Sequence, residues 1–522
     1  MAPTAESGVL QSLEAEAQSR SGLLLAADPA DQSGIALDEA TVSPSSLSGV
    51  GAGPDLETAS VPAQPAVAAQ SAPGTGSGAG LSALGPMSTG AADAAPSVGV
   101  LPELTQPAGG PVTAAALIGP VVAVEPAVLP QMKGVALLRQ LAVQPRSELA
   151  RFFVGNADSV RSLLAAPPSA GAVTAWWQSV PPAWKHTISR SAPELVGNLN
   201  GIPFPERSAA NQSLLTESLV HLESQLDADL GRAELGETLR RVEALKDIRG
   251  ALGDGNSEPQ RYLLSLDLDR EPTAAIAVGD PQQADYVSFL IPGMFFNTGS
   301  QISEWTDTAA RLYEEQVSWL ELLGAKGNEA GDTIATIAWV GYQTPHLLNV
   351  GSLDLAREGR DSLTGMVEGL QSSRGADQPF LSILAHSYGS TAALMALEEN
   401  DFTVDALAVI GSPGSAAQSV DELNVRNGNV FVGEAAWDPI PNSSYFGSDP
   451  GAESYGAKRM DVGGGLDVIR EEVLAASIGH NEYFGPGTES LRNLALLAID
   501  QGDLVTDGTE RDQERTVASV GR

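Results

Sequence analysis

Residues 380–399 read Phe-Leu-Ser-Ile-Leu-Ala-His-Ser-Tyr-Gly-Ser-Thr-Ala-Ala-Leu-Met-Ala-Leu-Glu-Glu. The first five residues are a mostly apolar run of strand length, and the last ten form helix readily. Ala385-His386-Ser387-Tyr388-Gly389 therefore falls on the turn between a strand and a helix. A sharp turn there lifts a serine hydroxyl above the sheet edge, which is the purpose of a G-x-S-x-G nucleophile elbow. Small residues two before and two after the serine let strand and helix approach, and Ala385 and Gly389 supply them. Ala385 stands where that pattern has its first glycine and adds one methyl to a crowded position. The plainer reading is an ordinary strand, turn and helix with a surface serine.

A nucleophilic serine needs a base, and where the chain order is serine, acid, histidine the base follows the serine. Of the five histidines, His186, His221, His346, His386 and His480, only His480 does. It lies in Ile478-Gly479-His480-Asn481-Glu482-Tyr483-Phe484, a loop-like segment. An imidazole can take the serine proton and return it near neutral pH. His386 directly precedes the serine, and strand alternation turns it to the opposite sheet face as a structural residue.

The acid must lie between Ser387 and His480. Asn429-Val430-Phe431-Val432-Gly433 reads as a short buried strand, and Glu434-Ala435-Ala436-Trp437-Asp438-Pro439 follows it. Asp438, just past a core strand, is placed to accept the imidazole N–H and fix its tautomer. Glu434 and Asp449 are the reserves, with Asp405 behind them at the head of a strand. An Asp-Pro turn is the simpler role for Asp438. An oxyanion hole takes one backbone N–H from the residue after the nucleophile, Tyr388, and one from the loop after an earlier strand. That strand is 286–291, ending at Pro292-Gly293, and Met294 is the donor expected there. Phe295, Phe296 and Trp437 are the expected walls of a substrate pocket.

The stretch from about 261 to 484 resembles an α/β-hydrolase family of high-GC Gram-positive bacteria, long known only as a domain of unknown function. The resemblance rests on Ala277-Val278-Gly279-Asp280, Ile291-Pro292-Gly293, Ile337-Ala338-Trp339-Val340-Gly341-Tyr342, His386-Ser387-Tyr388-Gly389-Ser390, Trp437-Asp438-Pro439 and His480 with Tyr483-Phe484. Upstream, Trp176-Trp177 and Val196-Gly197-Asn198-Leu199-Asn200-Gly201-Ile202-Pro203 are similar to the helical region that precedes the hydrolase in that family. The resemblance implies a hydrolase fold with Ser387, Asp438 and His480 as the triad, and little about substrate.

Periodicity leads to the same architecture. Strands at 261–266 and 274–278 form a hairpin, and then strands at 286–291, 333–340, 380–385 and 404–410 alternate with helices within 303–323 and 353–370. Near-continuous apolar strands between helices predict a mostly parallel sheet covered on both faces. Four regions follow: an Ala/Gly/Pro/Ser-rich acidic tail at 1–115, a helical domain at 116–255, an α/β-hydrolase domain at 256–502 and a polar tail at 503–522. No aromatic residue precedes Phe152, and Arg20 is the only basic residue before Lys133. A stretch so poor in large side chains predicts disorder for the first region. Gly49-Val50-Gly51-Ala52-Gly53 has neither the strand nor the helix that a phosphate-binding loop requires. In the helical domain, 206–248 reads as one long helix with a leucine stripe.

With 65 acidic against 29 basic residues and a net charge of -36, nucleic acid and anionic membranes are poor partners. The absence of cysteine excludes disulfides and thiolate chemistry. No run of about 18 apolar residues predicts an integral membrane segment, and 1–10 lacks the features of a standard signal peptide. A cytoplasmic protein, or one exported by another route, is expected. No cofactor and no metal is expected, since no His-rich motif suggests zinc. The expected activity is that of a serine hydrolase cleaving a small acyl ester through an acyl-enzyme. The alternatives are a hydrolase fold kept as an interaction module, with protein partners bound through the helical domain, and an amidase or peptidase using the same triad.

Overall fold

In this computed structural model the described residues are 121–255, 257–294, 301–324, 332–345, 351–441 and 443–509. The expectations for residues 1–115, Phe295, Phe296 and most of the C-terminal tail lie outside them.

The central sheet has eight strands in the order β1-β2-β4-β3-β5-β6-β7-β8. They are β1 (Arg261–Asp267), β2 (Thr273–Val278), β3 (Tyr286–Ile291), β4 (Ile334–Trp339), β5 (Phe380–His386), β6 (Ala406–Ile410), β7 (Val430–Gly433) and β8 (Lys458–Arg459). β1 and β2 form the expected antiparallel hairpin, β2 is also antiparallel to β4, and the remaining neighbours are parallel. A small hairpin, β9 (Gly465–Asp467) with β10 (Glu472–Leu474), stands apart.

The inner strands are buried almost end to end because helices cover both faces, as a parallel sheet requires. Alternation sorts each strand between two cores: Leu381, Ile383 and Ala385 join one, and Leu384 the other. Two buried polar side chains on the sheet, Ser288 and Thr336, are satisfied through Gln316 of the helix above them. Gln316 donates to Ser288 Oγ at 3.1 Å and accepts from Thr336 Oγ1 at 2.8 Å.

Among the described residues eight α-helices precede β1: α1 (Gly134–Leu141), α2 (Arg146–Gly155), α3 (Ala157–Ala165), α4 (Ala170–Ser179), α5 (Pro182–Ser191), α6 (Pro193–Asn198), α7 (Phe204–Leu226) and α8 (Arg232–Leu252). The long helix expected over 206–248 is two. It breaks at Asp227-Ala228-Asp229-Leu230-Gly231, where Asp and Gly carry poor helix propensity. The break redirects the leucine stripe: Leu215, Leu219 and Leu245 are buried, whereas Leu235 and Leu239 face solvent. α5 and α6, which periodicity missed, each open on a proline in the first turn, a helix-start signal in its own right.

These helices are fastened to the sheet at β1, the edge strand. The Asn198 amide accepts from Leu266 N at 2.9 Å and donates to Leu266 O at 3.0 Å, as a neighbouring strand would. Ser208 Oγ accepts from Leu263 N at 3.0 Å, and Asn211 donates to Leu263 O at 3.2 Å. All the described residues fall in one compact unit.

After the sheet begins, α9 (Gln301–Gly324), α10 (Asp354–Arg374), α11 (Tyr388–Glu399) and α12 (Glu489–Ala498) complete the layers. α12 is capped by Thr488, whose hydroxyl accepts from Leu491 N at 3.2 Å.

Candidate active site

Ser387 sits between β5 and α11 with φ 53° and ψ −132°. A non-glycine residue at positive φ is costly, on the order of 1–3 kcal/mol, and persists only where its surroundings hold it. Here Ser387 N donates to Ile410 O at 3.0 Å, continuing the parallel ladder, and Ser390 Oγ donates to Ser387 O at 2.6 Å. Ala385 is fully buried, in register between Ile291 and Val409, so the elbow forms with alanine in place of the first glycine.

Three side chains from distant points of the chain meet at this turn. His480 Nε2 accepts from Ser387 Oγ at 2.7 Å, and His480 Nδ1 lies 3.0 Å from each carboxylate oxygen of Asp438. Asp438 stands in the loop after β7, and His480 in the loop bridged to it by the pairing of Ala436 with Ile478. Burial pushes the Asp438 carboxyl up, but the bonds from His480, Ile440 N at 2.9 Å and Tyr483 OH at 2.7 Å outweigh this and hold it below the ordinary carboxylate value. Such a chain can draw the serine proton onto an imidazole while a carboxylate steadies the resulting cation.

The other expected acids are engaged elsewhere. Glu434 pairs with Arg459 at 2.8 Å and Asp405 with Arg426 at 2.6 Å, while Asp449 accepts from Gly451 N at 2.9 Å.

Met294 and Tyr388 both lie at the serine. The link to Met294 is Gly293: a Cβ there would stand 2.4 Å from Ser387 Cβ and 2.9 Å from its Oγ, so only glycine permits this approach. Tyr342 OH donates to Pro292 O at 2.9 Å and fixes the same loop. The Tyr388 ring is buried rather than pocket-lining. It stacks on Tyr342, meets Phe446 edge-on, and its hydroxyl accepts from Ala356 N at 3.0 Å. Trp437, expected in the pocket wall, stands 89% exposed and does not line the neighbouring cleft. That cleft, about 370 Å³, is bordered near the serine by Gly293, Met294 and His386 and farther off by Tyr483, Phe484 and α9.

Four contributors escaped sequence reading. Tyr483 braces Asp438, and Tyr342 fixes the Pro292 loop. Gly411, at φ 57°, leaves room where a Cβ would lie 2.9 Å from Asp438 Oδ2. His386 is the fourth. Strand alternation holds, but the face to which His386 turns is the one covered by residues 480–484. Its Nε2 donates to His480 O at 2.7 Å, and its ring packs on His480 and Tyr483. Burial first, and then His480, pull this imidazole down to about 4. Tyr483 and Tyr342 stood within quoted motifs, but nothing in spacing reveals which hydroxyl reaches which acceptor.

Among the described residues, no group of three or more His, Cys, Asp or Glu side chains is arranged to hold a metal. No described helix is long and apolar enough to cross a membrane.

The chain is 27% identical over 392 residues to an uncharacterized protein of Mycobacterium tuberculosis strain H37Rv, covering 66% of this chain and 58% of the relative. It thus spans somewhat under two thirds of that relative's length. An uncharacterized protein of Mycobacterium bovis is 27% identical over 233 residues, covering 43% of this chain and 86% of the relative. Among solved structures, dienelactone hydrolase from Anabaena variabilis aligns at 15% identity and a TM-score of 0.27, over 47% of this chain and 98% of that one. Residues 267–448, which run from the end of β1 past the elbow and Asp438, match the alpha/beta hydrolase family. That match lies over a mostly parallel eight-stranded sheet with a serine on its strand-to-helix elbow, so the matched segment has the alpha/beta-hydrolase fold.

Proposed function

We propose that this protein is a serine hydrolase that cleaves an ester or related acyl bond. The observation that carries the reading is the unbroken run of hydrogen bonds from Ser387 Oγ through His480 to Asp438, at 2.7 and 3.0 Å. Ser387 Oγ attacks the carbonyl carbon as its proton passes to His480 Nε2. Asp438 holds the ring in the tautomer that leaves Nε2 free to accept, and stabilises the imidazolium. The amides of Tyr388 and Met294 are the donors assigned to the oxyanion. Collapse of the tetrahedral intermediate expels the alkoxide, which takes the proton back from His480, and leaves an ester on Ser387. Water then enters, loses its proton to His480 and releases the acid by the same path.

The strained φ of Ser387, the glycine approach at 293 and the family match all support this assignment. A fluorophosphonate probe tests it: the wild-type protein becomes labelled at Ser387, and Ser387→Ala loses both label and esterase activity, the latter by about 10⁴-fold or more. Equal labelling of the two proteins overturns the reading.

A further inference from the structure

The cleft beside Ser387 contains a cation that the mechanism above does not use. Arg311, on α9, lines the cleft together with Gly293, Met294 and His386. Its NH2 group donates to Thr308 Oγ1 at 2.8 Å. Its Nε is shut off from solvent and has no acceptor. Among the described residues no carboxylate pairs with it, although the chain has 65 acidic residues for 29 basic ones. With Nε enclosed, an arriving carboxylate meets the terminal Nη nitrogens of the guanidinium. Trp305 and Phe484, edge to face at 5.3 Å, supply apolar lining in the same cleft. Glu304 lines it too, so a wholly anionic ligand is disfavoured and one with a single charged end is not.

Resting on the serine-hydrolase reading, we propose that this cleft is a specificity subsite for esters bearing a carboxylate, with Arg311 as the residue that receives it. Guanidinium matches carboxylate geometry with two parallel N–H donors, and in a cleft partly closed to water such a pair is stronger than at the surface. The carboxylate can sit on the acyl or the alcohol side of the ester, and the two sources are separated experimentally.

The test measures kcat/KM for mono-para-nitrophenyl glutarate against para-nitrophenyl pentanoate, and for para-carboxyphenyl butyrate against phenyl butyrate. The readout is the charged-to-neutral ratio within each pair. In one pair this ratio falls about tenfold to a hundredfold in Arg311→Gln, is partly kept in Arg311→Lys, and declines with added salt in the wild type. The pair that responds identifies the side carrying the charge. Circular dichroism checks the fold of Arg311→Gln; if that variant is unfolded, Arg311→Lys and the salt series decide. Ratios unmoved by substitution and salt in both pairs overturn the subsite. If neutral esters are hydrolysed by the wild type and not by Ser387→Ala, that failure concerns the subsite alone. A wild type that neither turns over any ester nor takes the fluorophosphonate removes the serine-hydrolase reading itself.

Discussion

Tyr483 donates its hydroxyl hydrogen to Asp438 Oδ2 at 2.7 Å and accepts the Ala435 amide at 2.9 Å. Tyr483 lies three residues after His480, so a single segment carries both the imidazole and the brace for its carboxylate. Tyr483→Phe keeps the ring and deletes the brace. It is expected to lower kcat about tenfold with little change in KM, and to cost about 1–2 kcal/mol of stability. Steady-state kinetics and urea unfolding check both, and unchanged kcat removes Tyr483 from the site.

Asp438→Asn replaces an acceptor-only carboxylate by an amide that can offer N–H groups to His480 and no longer dictates its tautomer. The expected loss in kcat is on the order of 10⁴. Because the folded-state value of Asp438 is depressed, its stabilising contribution is complete above the ordinary carboxylate range and disappears as pH falls through the depressed value. Acid unfolding of Asp438→Asn therefore lacks that component. Superimposable acid-unfolding profiles for the two proteins contradict the account.

His386 behaves in the opposite manner to a salt-bridged histidine. It stays neutral in the folded protein down to about 4, whereas the unfolded chain takes up the proton near 6.5. The folded state thus loses stability as pH drops from about 6.5 to about 4, and no further below that. The loss is about 2 kcal/mol, held below the full linkage value because the ring is partly open to the cleft. His386→Gln keeps a donor for the His480 carbonyl and sheds this acid sensitivity, while His386→Leu also loses several-fold in kcat. Thermal melts across pH 4–7 and kinetics at neutral pH distinguish the three proteins. Equal kcat in the Gln and Leu variants shows the hydrogen bond to be dispensable.

Gly293→Ala drives a methyl to 2.4 Å from Ser387 Cβ, so the loop carrying Met294 has to withdraw. Loss of one oxyanion donor costs roughly 10²- to 10³-fold in kcat. The expected result is that deficit in turnover, with slowed fluorophosphonate labelling and a folded protein by circular dichroism. Labelling at the wild-type rate refutes the close approach.

What the sequence made legible was what physics places locally. The elbow could be read because strand, small residue, serine and helix are consecutive, and its strand ends where the site of a parallel sheet must be. Asp438 and His480 followed from the order in which such strands emerge and from the scarcity of histidine. The β1–β2 hairpin and the strand positions followed from apolar runs. The role of His386 was hidden because alternation says which way a side chain turns and nothing about what the far chain lays over it. Tyr388 illustrates the same limit from the other side. Its buried column of rings is assembled from Trp339 at the end of β4, Tyr342 just beyond it and residues 445–446, which no local pattern connects. The break at 227–231 was visible in composition, but the leucine stripe on both sides concealed it.

The side-chain amides and hydroxyl of Asn198, Asn211 and Ser208 occupy the outer rim of β1 as another strand would. Shortening the gene to begin near residue 257 would strip that cover and leave a row of bare peptide groups ready to zip onto a second molecule. The smallest workable version of this protein must therefore retain its leading helices, and attempts to trim it to the matched segment should yield aggregates.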